Sequence, residues 1–387
     1  MQNKQIRVAF LSTYPPRECG LATFTQDLVQ KLQEIPDITS HVVAISNEDI
    51  AYEEPVFLTL QQHERNDYSE IAKKLNQTGC DLLVIEHEYG IYGGKSGEYL
   101  LDLIDALTIP FVTTLHTVLS RPNRLQKKII HYLGLRGQKI ITMAANSAVI
   151  LEDTYGVKPC KIAVIPHGVP KISVPSREAL KKEVGMAGKT IISTFGLLGP
   201  GKGLEYGVIA MAKVAAKHPE ACYMILGQTH PTIKKESGEV YRQKLESLIR
   251  KYKIEDNVIF VNRYLSKEEI VRYLVMSDMY LTPYLNMDQA VSGTLAYASG
   301  YGRVIISTPY SYAREMLSGH RGILVKKKDA KSIAKAICYI LENPKEKTKM
   351  EALTTAVGEG NFWGNIAKQY RKLFQDSLTE TSEGENK

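Results

Sequence analysis

Short apolar runs alternate with amphipathic helical stretches along this chain, and the alternation begins afresh in its second half. Ile6 to Leu11, Val42 to Ile45, Leu82 to Ile85, Phe111 to Thr114 and Ile140 to Met143 read as strands, with helical patterns such as Phe24 to Leu32 and Tyr68 to Gln77 between them. A second series follows at Thr190 to Phe195, Cys222 to Leu226, Val258 to Val261, Met279 to Thr282, Val304 to Ser307 and Gly322 to Val325. Strands separated by helices in this way predict a parallel, doubly wound sheet of the α/β class, and two series predict two of them. The length agrees, since 387 residues are too many for one ordinary core and fit two domains of common size.

The two series meet at Ile165-Pro166-His167-Gly168-Val169-Pro170 and a polar, proline-bearing stretch up to Arg177. The expected division is a first domain over 1–170, a linker over 171–187 and a second domain over 188–357. A long helical region runs from Ala330 to about Ser377 and holds the single tryptophan, Trp363. Gly358 and Gly360 break it, so 358–378 is expected to cross back onto the first domain. The polar, charged residues 379–387 read as a flexible tail.

Two loops of the second series carry the chemistry. Phe195-Gly196-Leu197-Leu198-Gly199-Pro200-Gly201-Lys202-Gly203 follows a strand and precedes the amphipathic stretch Leu204 to Lys217, which is a phosphate-binding geometry. In the run from Pro283 to Thr308, a strand end and an irregular loop lead into Ser292-Gly293-Thr294, which opens a small-residue helix. The unpaired N–H groups and positive dipole end of such a helix attract an anion lying beyond its first turn. Two anion sites in one α/β domain point to a diphosphate.

Composition narrows the partners. A content of 44% apolar and 24% charged residues is that of an ordinary soluble globular protein. A net charge of +7 suits an anionic ligand or weak attachment to an acidic membrane surface, but the lysines are dispersed and read first as solvated faces. Nucleic acid is not an expected partner, because no recognisable module or aromatic-basic interleaving is present. The five cysteines, Cys19, Cys80, Cys160, Cys222 and Cys338, are odd in number and never at metal-like spacing. That argues against a disulfide framework and a zinc site, and for a reducing, cytoplasmic setting. No stretch approaches the roughly 20 apolar residues of a membrane span.

Taken in order, these pieces resemble a known family: the retaining, nucleotide-sugar-dependent glycosyltransferases of family 4, glycosyl transferases group 1. The resemblance rests on Tyr14-Pro15-Pro16-Arg17-Glu18-Cys19-Gly20 after the first strand, Thr114-Leu115-His116-Thr117, the Ile165 to Val169 segment, the Lys202-Gly203 loop, and Ser277-Asp278 ahead of Thr282-Pro283. It implies the GT-B fold, two facing Rossmann-like domains with a cleft between them. A nucleotide sugar, GDP-mannose or a UDP-hexose, is the implied donor, bound mainly by the second domain. A saccharide or glycolipid hydroxyl is the implied acceptor.

Residue by residue, the resemblance places Lys202 and Gly203 at the donor diphosphate, with the amides of Ser292, Gly293 and Thr294 on its other side. Arg263 and Tyr264 fall where relatives contact the base, and His116 where the family has a histidine near the reacting sugar; a satisfied core histidine is the alternative. Gly20 sits in the first loop, where a small residue lets the backbone approach the donor, and Arg17 beside it is an acceptor candidate. His87 and Glu88, in the polar segment Glu86-His87-Glu88-Tyr89-Gly90, are acceptor candidates too; three adjacent residues of an extended chain cannot all turn to one metal.

Three departures stand out. Leu197 occupies the position of the family's loop arginine, and Gln289 and Tyr297 those of its two glutamates. Gln289 can hydrogen-bond sugar hydroxyls but brings no charge to an oxocarbenium-like centre, so the neighbouring Asp288 is the candidate substitute acid. Tyr297 either contacts the ribose or belongs to the core. No Asp-x-Asp pair is present, so no metal or other cofactor is expected, with lysine and helix N-termini facing the leaving diphosphate. Two alternatives remain: a phosphorylase-like enzyme on the same fold, and a nucleotide-sugar-binding partner protein without turnover.

Overall fold

A computed structural model describes residues 5–48 and 50–384. The chain forms two compact units, one from Met1–Gly168 with Trp363–Lys387, the other from Val169–Phe362.

The first unit is built on seven strands: β1 (Ile6–Ser12), β2 (Ile38–Ser46), β3 (Val56–Gln61), β4 (Leu82–His87), β5 (Phe111–Leu115), β6 (Lys139–Thr142) and β7 (Ile162–Val164). They lie in the order β3-β2-β1-β4-β5-β6-β7, every pair parallel. Val8, Phe10, Leu82, Val84 and Val112 are fully buried, as expected where helices cover both faces of a sheet. The strand order reverses between β1 and β4, so the crevice beyond their carboxyl ends is where such a sheet takes a ligand.

Strands β3 and β7 have no counterpart in the sequence reading. Both are edge strands, β3 with Phe57 exposed and β7 only three residues long with Val164 exposed, so neither gives the continuous apolar run of a central strand. The helix Trp363–Gly384 packs on this unit. Trp363 is buried, its indole Nε1–H donates to Asp27 Oδ2 at 3.1 Å, and Phe374 sets its edge against Phe10 at 6.4 Å. A Cβ on Gly168 would lie 2.2 Å from the Trp363 ring, so only glycine lets the chain pass there. The segment 379–387, expected as a flexible tail, is helical as far as Gly384; 385–387 lie outside the described residues.

The second unit holds β8 (Thr190–Phe195), β9 (Ala221–Leu226), β10 (Val258–Val261), β11 (Met279–Thr282), β12 (Val304–Ser307) and β13 (Gly322–Leu324), in the parallel order β10-β9-β8-β11-β12-β13. Its reversal falls between β8 and β11, whose following loops are the two anion-site candidates. Residues 171–187, expected as a linker, pack into this unit instead. They contain the helix Arg177–Glu183, from which buried Lys181 reaches Asp278 Oδ2 at 2.8 Å and Arg177 reaches Glu351 at 2.6 Å. Burial pushes the Asp278 carboxyl up, but the Lys347 charge and hydrogen bonds from Lys181, Lys347 and the Ile191 N–H outweigh it and hold the group below its ordinary range.

The C-terminal helical region is interrupted earlier than the glycines suggest. Helix Ala330–Glu342 ends at Asn343 and helix Pro344–Gly358 starts with proline, whose missing N–H costs nothing at a first helical position.

Candidate functional site

The two anion-site loops of the second unit come together. The chain leaves β8 through Gly196 at φ +127°, turns through Pro200–Lys202, and enters helix Leu204–Ala215 through Gly203 at φ +62°. A Cβ on Gly203 would lie 2.3 Å from the Pro283 carbonyl oxygen, so this loop and the one after β11 touch through a glycine that nothing larger can replace. The Leu285 N–H donates to the Gly201 carbonyl at 2.9 Å and ties them further. On the other side a Cβ on Gly196 would meet the Thr294 methyl at 3.5 Å.

Lys202 Nζ lies 4.0 Å from the centre of the Tyr284 ring, a cation–π contact that leaves its charge unneutralised; among the described residues no carboxylate pairs with it. Tyr284 is held by stacking on Tyr310 at 5.5 Å and by its hydroxyl, 2.9 Å from Thr294 Oγ1. Buried Ser292 caps helix Gly293–Gly300, its Oγ accepting from the Leu295 N–H at 3.3 Å. The N–H groups of Gly293 and Thr294 take no partner among the described residues. One ammonium and two unpaired amides thus surround the carboxyl ends of β8 and β11, and they suit a diphosphate better than any neutral ligand.

Asp288 and Gln289 stand in the same loop, just ahead of Ser292. Asp288 is exposed, and its N–H donates to Asn286 Oδ1 at 3.2 Å. Gln289 is half-buried and spends its Nε2 on the Val291 carbonyl at 3.0 Å. Tyr297 is buried, its ring 6.1 Å from that of Phe195. Arg263 is committed to Glu269 through both terminal nitrogens, and Tyr264 beside it is exposed. The hydrogen bond from Arg263, then that from the Ser266 N–H, pushes the Glu269 carboxyl down to about 2. Since Glu269 also closes the capping box of helix Lys267–Met276, Arg263 serves the fold of this loop.

In the first unit, the crevice of the sheet collects His116, Glu86, Glu88 and Arg17. His116 Nε2 lies 2.7 Å from Glu86 Oε2, and its ring meets the Phe24 ring edge-on at 4.7 Å. Glu86 is fully buried and its Oε1 has no hydrogen-bond partner among the described residues. Glu88 accepts from the Thr117 hydroxyl and, at 3.0 Å, from the Tyr89 N–H. Arg17 reaches Gln62 Oε1 at 3.4 Å, while Gln62 donates to the Gly90 carbonyl and so joins the first loop to the β4 loop. Gly20 opens helix Gly20–Gln33 in open space, and the cap of that helix is the Cys19 sulfur, which accepts from the Ala22 N–H at 3.4 Å.

His87 departs from expectation. It is fully buried with Tyr89 and Tyr92 against its ring, both ring nitrogens lack partners among the described residues, and burial followed by the His116 charge pushes its pKa down to about 3. Successive strand residues point to opposite faces, so the turn that carries Glu86 toward His116 sends His87 into the core, out of reach of an acceptor. Glu86 and Tyr284 are the residues that sequence reasoning passed over. A carboxylate at the penultimate position of an apolar strand was the available signal for Glu86; for Tyr284 there was none beyond its place after Pro283.

Residues 19–171 match the family model for Glycosyltransferase Family 4, and residues 176–355 that for Glycosyl transferases group 1. Among curated relatives, the D-inositol 3-phosphate glycosyltransferase of Kineococcus radiotolerans is 24% identical over 249 residues, 59% of this chain and 56% of that protein. The gpi3 subunit of the Schizosaccharomyces pombe phosphatidylinositol N-acetylglucosaminyltransferase is 21% identical over 58% of this chain and 46% of its own length. The chain thus spans about half the length of these curated relatives. Sucrose-phosphate synthase from Thermosynechococcus elongatus superimposes with a TM-score of 0.80 at 17% identity, over 97% of this chain and all of that one (100%). Anabaena HepE, in complex with UDP and glucose, superimposes with a TM-score of 0.75 at 15% identity over 96% and 100%. At such identities these structures speak for the GT-B fold, and the two sequence models for descent. The chain belongs to the glycosyl transferases group 1, family 4 of the glycosyltransferases.

Proposed function

We propose that this protein is a retaining hexosyltransferase that moves a sugar from a nucleoside-diphosphate sugar, GDP-mannose or a UDP-hexose, to a hydroxyl of a saccharide or lipid-linked acceptor. The observation that carries this reading is the meeting of the Gly196–Gly203 loop with the amino end of helix Gly293–Gly300, around an ammonium that no carboxylate neutralises among the described residues. Relatives support it, since two are named as glycosyl or N-acetylglucosaminyl transferases and the HepE structure carries UDP and glucose.

In this reading Lys202 and the amides of Gly293 and Thr294 hold the diphosphate. As the bond from the anomeric carbon to the phosphate oxygen breaks, charge grows on that oxygen, and fixed donors there lower the barrier. The acceptor oxygen forms its bond to the same carbon from the same face, and its proton passes to the departing phosphate, so no protein nucleophile is required. Asp288 supplies negative charge to the oxocarbenium-like centre and Gln289 hydrogen bonds to the sugar. His116, oriented by Glu86, and Glu88 with Arg17 are the polar groups assigned to the transferred sugar and the acceptor. The reaction is proposed to proceed without a metal, in the cytoplasm, with weak attachment to acidic membrane where the acceptor is a lipid.

The test is to incubate the purified protein with GDP-mannose or UDP-hexoses and saccharide acceptors, to follow nucleoside diphosphate release, and to read the product's anomeric configuration by NMR. Retention, with activity undiminished by a chelator, is expected. An inverted product would overturn the stereochemistry, and tight nucleotide binding without turnover on any acceptor would make the protein a binder.

A further inference from the structure

The cysteines show no metal-like spacing in sequence, yet the second unit brings Cys338 together with His218 and Glu342, all three ligating atoms within 4.8 Å of one another. Cys338 and Glu342 lie four residues apart at the end of helix Ala330–Glu342 and so share one face. His218 comes from the turn between helix Leu204–Ala215 and β9, its N–H bonded to the Val214 carbonyl at 2.8 Å. In its ring Nδ1 lies 3.3 Å from Glu220 Oε1, whereas Nε2, shielded from solvent, has no hydrogen-bond partner among the described residues and lies 3.6 Å from Glu342 Oε1. A carboxylate nearer one imidazole nitrogen favours the tautomer with the proton on that side, leaving a lone pair on the other, the form in which histidine binds a metal.

We propose that His218 Nε2, Cys338 Sγ and a Glu342 carboxylate oxygen form a binding site for a borderline-soft divalent cation of the zinc class, with a fourth position open to water. A nitrogen, a sulfur and an oxygen donor favour zinc over magnesium or calcium, which take oxygen alone. Around one tetrahedral centre such ligands stand about 3.5 Å apart, so the group must draw in by roughly 1 Å. The Glu342 side chain, 53% exposed, is free to make that movement. On binding, the Cys338 thiol yields its proton to solvent and a sulfur electron pair to the metal; nothing is oxidised or reduced. His218 precedes the amino end of β9, whereas the Lys202 loop follows the carboxyl end of the parallel strand β8, so the site lies at the opposite edge of the sheet from the donor loops. The cation would pin the end of a helix to the entry of a strand and take no part in transfer.

The experiment is titration of the full chain with Zn2+ against a chromophoric chelator, comparing wild type with Cys338→Ser and Glu342→Gln. Wild type should take up one equivalent at micromolar protein, with affinity at least tenfold lower in each variant, and Mg2+ should not compete. Because Glu342 is largely exposed, Glu342→Gln keeps the test valid even if Cys338→Ser fails to fold. Absence of zinc uptake by wild type, or unchanged affinity in Glu342→Gln, overturns the proposal; the latter would place any bound zinc on other thiols such as exposed Cys160.

Discussion

Gly203 joins conformation and contact at one position. Its φ of +62° lies where a side chain costs about 1 kcal/mol or more, and its missing Cβ leaves room for the Pro283 carbonyl. Gly203→Ala should therefore destabilise the second unit by at least about 1 kcal/mol and, by parting the two loops, weaken nucleotide binding more than a distant substitution of equal cost. Urea unfolding and nucleotide titration on the same sample separate the two effects. Asp288 is the opposite kind of residue, exposed and without steric demand. Asp288→Asn should lower turnover by about tenfold or more with donor affinity little changed, since the interaction belongs to the transition state; equal kcat would leave Gln289 as the sugar contact. At this scale the sequence was legible where backbone chemistry dictates residue type, as at Gly203 and Ser292. It was not where the outcome depends on which face of a strand a residue takes, as with Glu86 and His87.

At the scale of elements, β4 carries a polar pair into an apolar sheet. His87 is closed in the core as a neutral ring, with its pKa pushed down to about 3. In an unfolded chain the same ring takes a proton near pH 6.5, so between these values the unfolded state binds more protons and stability must fall as pH falls. The contribution of His87 is complete above about pH 6.5 and is lost by up to about 1.4 kcal/mol per pH unit below it. His87→Phe, which keeps a ring beside Tyr92, should flatten the pH dependence of stability between pH 6.5 and 4 in denaturant melts; an unchanged slope would mean that the ring is hydrated in the native state. Element existence was well marked in sequence for central strands, since burial on both faces writes itself as continuous apolar runs. It was poorly marked for β3 and β7, where one side of the strand meets solvent. The break at Asn343-Pro344 was hidden because a proline that begins a helix and one that ends a helix look alike until the cap is seen.

For the whole molecule, two doubly wound parallel sheets were legible because the alternation of strand and helix repeats; the strand orders were not, since a strand's own apolar run does not name its neighbours. The limits of the units were less legible. Residues 171–187 look like a linker by composition, yet Arg177 and Lys181 are drawn into the second unit by the buried Asp278, a partner about a hundred positions away that spacing cannot reveal. If Lys202 and the facing helix terminus of the second unit hold a nucleoside diphosphate, calorimetric titration of wild type and Lys202→Ala with UDP and GDP will show it. Lys202 is half-buried and its side chain rests on Tyr284, so the variant should fold as the wild type does, shown by an unchanged melting temperature within a few degrees. Lys202→Ala should lose roughly 1.5–3 kcal/mol of diphosphate binding, the scale of a hydrogen bond to a charged group. Equal affinity in the folded variant would contradict it.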